Sequence, residues 1–432
     1  MLGQWVCHGA LLCAAISFAQ VSASEIAAPN TPVKESRGIV YVVLAVDTEP
    51  AGADGDGRRL TLNLSNFSDD SIRGYVRRVM ADSWRTKYTD SLGGNPKLTW
   101  YVLTSEHICE TGSCSAIFDE MQKFRTDLDR WGDEIGWHYH HTDFVKCTSP
   151  NRESAEWNQL TTFNGTQYSS GTDVAICENV LNHLIADSRF LPVSFRSGWV
   201  WENNDFSRWL DNVVPFDLSS SPPFVLPTVD PALCRSNESD WSRATLSWHP
   251  FHPDSTDYQK SGSMARWLSR SLSKRFERRD LDSITANVFS GRDQLISVPL
   301  HSYSNMCNSF GNTLDVLCSQ FDALGIRFKF ATSAEAFAGV LKLKQSPPPS
   351  IQLEATTDKV DIRIIGDIFQ SFPYVVARNS DSTLTRIIPH QAGRGHWTAQ
   401  IADSLVEEVT VAVSSSNGAS VVQSVKLIPI LH

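Results

Sequence analysis

No run of Lys or Arg in this chain resembles a nucleic-acid-binding arm, and the formal net charge is −10. Polyanion binding is therefore not expected. A Gly-x-Ser-x-Gly elbow is also missing, which removes the usual strand-turn-helix signature of a serine hydrolase. Beyond the N-terminus no stretch approaches the roughly 18 uninterrupted apolar residues that a transmembrane helix requires. There is no internal repeat. The single Gly/Asp-rich patch, Ala51 to Gly57, offers Asp54 and Asp56 without the other ligands of a calcium loop, and reads as a rim loop.

Basic residues are missing from Met1 to Ala10 as well, so the terminal amine is the only positive charge ahead of the apolar stretch Gly9 to Ala19. That stretch is too short to span a bilayer, and Val21-Ser-Ala23 is a small-residue cleavage pattern. Residues 1–23 are read as an export signal and 24–37 as a linker, which places the mature protein outside the cell or in a periplasm. Of nine cysteines, seven follow the signal. In an oxidising compartment the close pairs Cys109 with Cys114, Cys147 with Cys177, and Cys307 with Cys318 invite bridging, leaving Cys234 over. Asn63, Asn66, Asn164 and Asn237 head glycosylation triplets.

With 41% apolar and 20% charged residues, the chain is that of a globular protein with a sizeable core. Strand-like runs fall at 38–46, 97–103, 134–140, 193–197, 214–218, 295–301 and 326–330. Helical patterns lie between several of them, at 71–86, 116–131, 174–188, 206–213 and 312–324. This alternation predicts parallel βα units closing into a barrel over 38–343. The stretch 344–350, with three successive prolines, is a stiff linker. Residues 351–432 change to short alternating runs separated by turns, the pattern of a small all-β sandwich.

Two strand ends carry the chemistry. Asp47 and Glu49 share one strand face, as do His138 and His140, because strand side chains alternate. Two carboxylates and two imidazoles suit a zinc-type cation with a carboxylate left over as base. Other polar residues fall at the same ends of their strands: Thr104 to His107, Arg196, Asp217 with Ser219, and His301. Functional groups of such barrels gather there. Trp84, Trp137, Trp199, Trp201 and Trp248 lie near these segments, and aromatic faces suit sugar rings. Trp199 and Trp201 are the pair expected to be exposed in a cleft. The segment from Trp248 to Asp254, stiffened by proline, is expected to form a substrate-side wall.

In this order the segments Val46-Asp47-Thr48-Glu49, Glu134-Ile-Gly-Trp-His138, Phe195-Arg196-Ser-Gly198, Phe216-Asp217-Leu-Ser219 and Val298-Pro-Leu-His301 resemble the five motifs of the NodB-homology polysaccharide deacetylases of carbohydrate esterase family 4. The chain departs from the commonest pattern, with Asp-x-Glu in place of adjacent aspartates and His-x-His in place of histidines four apart. The resemblance implies a deformed (β/α)7 barrel that removes N- or O-acetyl groups from a polysaccharide with a divalent metal, zinc first and cobalt, nickel or iron as alternatives. On that pattern His138, His140 and Glu49 are metal ligands and Asp47 the general base, with the two carboxylates exchangeable in role. His141 is the other candidate for the second histidine ligand, or a substrate contact. His301 serves as general acid, Arg196 orients Asp47, and Asp217 completes the catalytic set. A glycoside hydrolase on a related barrel and a catalytically degenerate glycan-binding protein remain as alternatives. Nothing in the sequence speaks to oligomeric state.

Overall fold

The computed structural model describes residues 35–427 except 56–59, 69–73, 147–154, 160–162, 164–166, 169–170, 222, 224, 227–238, 272–277 and 403–404. The export signal, Cys147, Cys234 and the triplets at Asn164 and Asn237 thus lie outside the described residues.

Eight strands form the first sheet: β1 (Ile39–Thr48), β2 (Leu98–Leu103), β3 (Glu134–Tyr139), β4 (Ser194–Ser197), β5 (Phe216–Ser220), β6 (Trp267–Arg270), β7 (Gln294–His301) and β8 (Arg327–Phe330). They run parallel in the order β6-β5-β4-β3-β2-β1-β7. Residues 39–42 of β1 pair with β8, and residues 44–48 pair with β2. No ladder joins β6 to β7 among the described residues. Instead Leu295 donates to the carbonyl of Trp248 at 2.9 Å, and Phe251 bridges Leu268. The barrel is therefore deformed, with residues 248–251 filling its seam.

Alternation along each strand sorts residues between two cores. Val40, Val42, Leu44 and Val46 of β1 face the outer helices, as do Ile296 and Val298 of β7. Val43, Ala45, Tyr101, Phe216, Leu218 and Leu295 face inward. Three helices matter below: α1 (Asp173–Ala186), α2 (Met306–Leu324) and α3 (Ser333–Leu341). Helix α3 begins at a Thr332/Glu335 capping box, and its Ala336, Phe337 and Val340 plug the barrel's N-terminal mouth. A Cβ at Gly339 would meet the Tyr41 ring at 2.3 Å, so only glycine permits this close approach.

The helix expected at 71–86 is broken at extended Ala81 into Tyr75–Met80 and Asp82–Arg85. That at 116–131 divides into Ala116–Gln122 and Arg125–Trp131. Cys109 and Cys114 are bridged, whereas Cys177, Cys307 and Cys318 are free thiols. Cys307 and Cys318 both lie on α2, where eleven residues at about 1.5 Å rise separate them by some 16 Å, beyond disulfide reach.

The second unit holds β9 (Ser350–Ala355), β10 (Lys359–Ile365), β11 (Tyr374–Asn379), β12 (Leu384–Ile387), β13 (His390–Gly393), β14 (His396–Gln400), β15 (Val406–Ser414) and β16 (Ser420–Lys426). Two antiparallel sheets, β9-β10-β14-β13 and β12-β11-β15-β16, enclose Ile362, Trp397, Val375 and Val411. This is the expected all-β sandwich. Its second sheet is also covered outside, because Tyr374, Val376 and Ala412 join the core formed by α1 with Phe195 and Phe206. Strands buried on both faces read as continuous apolar runs, as Tyr374-Val-Val-Ala377 does.

Candidate metal centre

The parallel register carries functional side chains to one rim. Asp47 is aligned with His301 across β1 and β7, and His138 with Arg196 across β3 and β4. Asp47 follows inward-facing Val43 and Ala45 at even spacing, so its side chain turns into the barrel mouth. His138 does the same, since its neighbours Trp137 and Tyr139 belong to the outer core. Glu49 lies just past the end of β1 and His140 just past the end of β3.

Three of these groups converge. Glu49 Oε1 lies 3.3 Å from His138 Nε2 and 3.7 Å from His140 Nε2, and the two Nε2 atoms are 3.1 Å apart. All three donor atoms fall within 4.8 Å of one another. Two imidazole nitrogens held at about 2.0–2.1 Å by one tetrahedral ion sit about 3.3 Å apart, so the spacing fits a zinc-type cation. The backbone carbonyl of Arg196, 2.8 Å from His138 Nδ1, can only accept, which fixes the proton on Nδ1. In the neutral ring Nε2 then turns its lone pair toward Glu49 and His140, the tautomer a metal ligand needs.

At these distances the carboxylates and imidazoles shift one another's pKa values. Burial would raise the Glu49 carboxyl, but hydrogen bonds to His138 and His140 and the charge of His301 outweigh it and hold it well below the ordinary range. Burial lowers His138, yet Asp47 and Glu49 more than compensate and raise it. For His140 burial prevails, and the neighbouring His138 adds to the lowering.

Asp47 is engaged differently. Its Oδ1 accepts from Arg196 Nε at 2.7 Å, and Arg196 Nη1 is fixed by Ser271 Oγ at 2.8 Å and the Leu218 carbonyl at 3.2 Å. His301, with 45% of its side chain exposed, brings Nε2 to 3.8 Å from Glu49 Oε1. Trp199 sits beside His140, ring centroids 4.6 Å apart, and is 40% exposed. It holds a left-handed φ of 51°. A Cβ on the preceding Gly198 would meet the His140 ring at 2.4 Å, so glycine lets that backbone close over the imidazole.

Five expectations are corrected. Asp217 lies between inward-facing Phe216 and Leu218, so alternation turns it away from the mouth. It is buried within 3.6 Å of Arg266, which also pairs with Glu202. Trp201, only 2% exposed, packs against buried His141, which also meets Phe163, and neither lines a cleft. Trp248 is buried under Arg270 and bonded to Leu295 near the start of β7, the end of the barrel opposite the site. Asn66, read as a glycosylation acceptor, is fully buried.

Several residues that support the site were assigned no such role from the sequence, although Thr104 to His107 were noted at their strand end. Ser105 Oγ holds the backbone of His140 at 2.9 Å. Buried His107 lies 6.4 Å from the His140 ring, and burial with the nearby His140 pushes it down to about 3. Asn66 and Ser302 hold the backbone of Glu49. Strand-end position was the available signal for Ser105, His107 and Ser302. Asn66 follows a hairpin of Gly52–Gly55 and Leu60–Asn63 and carried none.

Neither a family model nor a curated protein sequence matches the chain. Among solved structures, a bacterial fucosidase with a monovalent iminocyclitol inhibitor aligns over 93% of this chain and 99% of its own, with 10% identity and a TM-score of 0.26. A glycoside hydrolase family 30 subfamily 8 xylanase from Clostridium acetobutylicum aligns over 90% and 99%, with 10% identity and a TM-score of 0.25. Similarity at this level does not amount to a shared topology, and the functional reading rests on the site's own geometry.

Proposed function

We propose that the protein is an exported, metal-dependent hydrolase that removes acetyl groups from a polysaccharide. The observation that carries this reading is the convergence of Glu49 Oε1 with the Nε2 atoms of His138 and His140, beside a second carboxylate, Asp47, that is held by Arg196 instead. Glu49, His138 and His140 hold a divalent cation, with zinc the first choice for two imidazoles and a carboxylate. Such an ion, when bound, polarises the acetyl carbonyl and acidifies a water molecule.

The chain's own residues do the rest. Arg196 fixes Asp47 at the rim, where the carboxylate takes a proton from the attacking water as its oxygen bonds to the acetyl carbon. His301, exposed at the neighbouring strand end, gives a proton to the departing sugar nitrogen or oxygen as the bond to the acetyl carbon breaks. Acetate and a free amine or hydroxyl result, so protons and bonds balance. Trp199, exposed beside His140, offers an aromatic face to a sugar ring.

Acetylated oligosaccharides, both N-acetylated and O-acetylated, provide the test. Acetate release by the full chain is expected to stop on chelation and return with zinc. Release indifferent to chelation would overturn the reading. A glycoside hydrolase is the second reading, favoured by the two carboxylates at one barrel mouth. It predicts new reducing ends that persist in chelator.

A further inference from the structure

Glu49 is placed by something other than the sheet. It lies beyond the last residue of β1, and the β1–β7 register ends at the Asp47–His301 pair. Its backbone is instead tied to two side chains from distant segments. The Glu49 N–H donates to Ser302 Oγ at 2.9 Å, and the Ser302 hydroxyl donates to the Glu49 carbonyl at 2.8 Å. Asn66 Nδ2 reaches both, donating to the Glu49 carbonyl at 2.9 Å and to Ser302 Oγ at 3.0 Å. Ser302 N–H closes the set on the Asp47 carbonyl at 2.9 Å.

The valences of this set are specific. Ser302 uses its one donor and both acceptor positions, which only a hydroxyl supplies. Asn66 must present its amino group, because the flipped amide would set one carbonyl oxygen against another. Among the described residues its buried Oδ1 has no hydrogen-bond partner, so the side chain's hydrogen bonding there is directed at this one point. Asn66 and Ser302 are both fully buried. Anchoring the hairpin between Glu49 and Asn66 would require only the link to the Glu49 carbonyl; the doubled bonds through Ser302 also fix the Glu49 N–H and bind it to the strand end that carries His301.

We infer that Asn66 and Ser302 are positioning residues for the metal centre, a clamp that sets where the Glu49 carboxylate meets His138 and His140. The inference rests on the proposed metal site. Groups that orient a ligand in this way typically contribute about ten- to a hundredfold to metal affinity.

The test is zinc affinity of the full chain, by competition with a chromogenic chelator, for the wild type, Asn66→Ala, Ser302→Ala, Ser302→Thr and His138→Ala. Thermal unfolding of the metal-free proteins is followed alongside. Asn66→Ala and Ser302→Ala are expected to weaken zinc binding about ten- to a hundredfold while unfolding as one cooperative transition, and Ser302→Thr, which keeps the hydroxyl, to restore most of the loss. If His138→Ala loses zinc while both alanine variants bind it as tightly as the wild type, the clamp is refuted and the metal site stands. If His138→Ala binds zinc like the wild type, the metal site itself fails and the clamp with it. Should Asn66→Ala not fold, the Ser302 pair still decides the matter.

Discussion

Asp47 and Glu49 stand two residues apart on one face, yet their surroundings divide them. Glu49 meets two imidazoles and Asp47 meets a guanidinium. The proposed roles follow from this division and can be separated. Glu49→Gln is expected to lose zinc. Asp47→Asn is expected to retain it while acetate release falls by about 10²–10⁴-fold, the usual scale for losing a general base; zinc titration and initial rates distinguish the two. The tryptophans divide in the same way. Trp201→Ala should cost about 3–5 kcal/mol in urea unfolding, as for a large buried side chain. Trp199→Ala should leave stability nearly unchanged and raise KM for an oligosaccharide. At this scale Asp47, Glu49, His138 and His140 were legible because the alternation of each strand carries over to the residue just past its end. His141 and Trp201 were misread because composition near a motif does not reveal which way a side chain turns once the strand has ended.

Among elements, seven of the eight barrel strands were legible from apolar runs, and β6 was not. Its sequence, Trp267-Leu-Ser-Arg270, is short, with Arg266 just before it and Arg270 inside it, both buried. Buried arginines read as loop in a hydropathy pattern, and partners such as Glu202, Asp217 and Asp280 make them tolerable inside. Asp217 was misassigned for a related reason: a polar residue at a strand end looks functional until the parity of Phe216 and Leu218 turns it outward. A comparable buried pair links Arg85 to Asp133, whose carboxylate also accepts from Leu98 N at 2.9 Å and Trp100 Nε1 at 2.8 Å. Asp133→Ala would strand the Arg85 charge, and the expected loss is about 3–5 kcal/mol, read as a lower urea midpoint.

For the whole molecule, the sequence marked the sandwich as a separate unit, and the apolar run Tyr374 to Ala377 was a sign, left unread, that one sheet would be covered on both faces. Tyr374 donates to Asn182 of α1 at 3.1 Å, and Gln370 Nε2 donates to the Val213 carbonyl at 2.9 Å. A charged fringe surrounds this contact: Arg189 pairs with Glu408, and Asp187 accepts from Arg378 and lies 2.6 Å from His183 Nδ1. Burial would raise Asp187, but His183 and Arg378 outweigh it and lower its carboxyl from the ordinary value of 3.8. Its contribution is therefore complete above that value and is lost as pH falls through the depressed one. Asp187→Asn should reduce stability at neutral pH and flatten the decline of stability below about pH 4, followed by urea unfolding across pH.

The central claim is that Glu49, His138 and His140 form one metal site, and titration of zinc into the metal-free full chain tests it most directly. One ion per chain, bound tightly by the wild type and lost in both His138→Ala and Glu49→Gln, is the predicted result. A wild type that binds no zinc, or variants that bind it as the wild type does, would contradict the account.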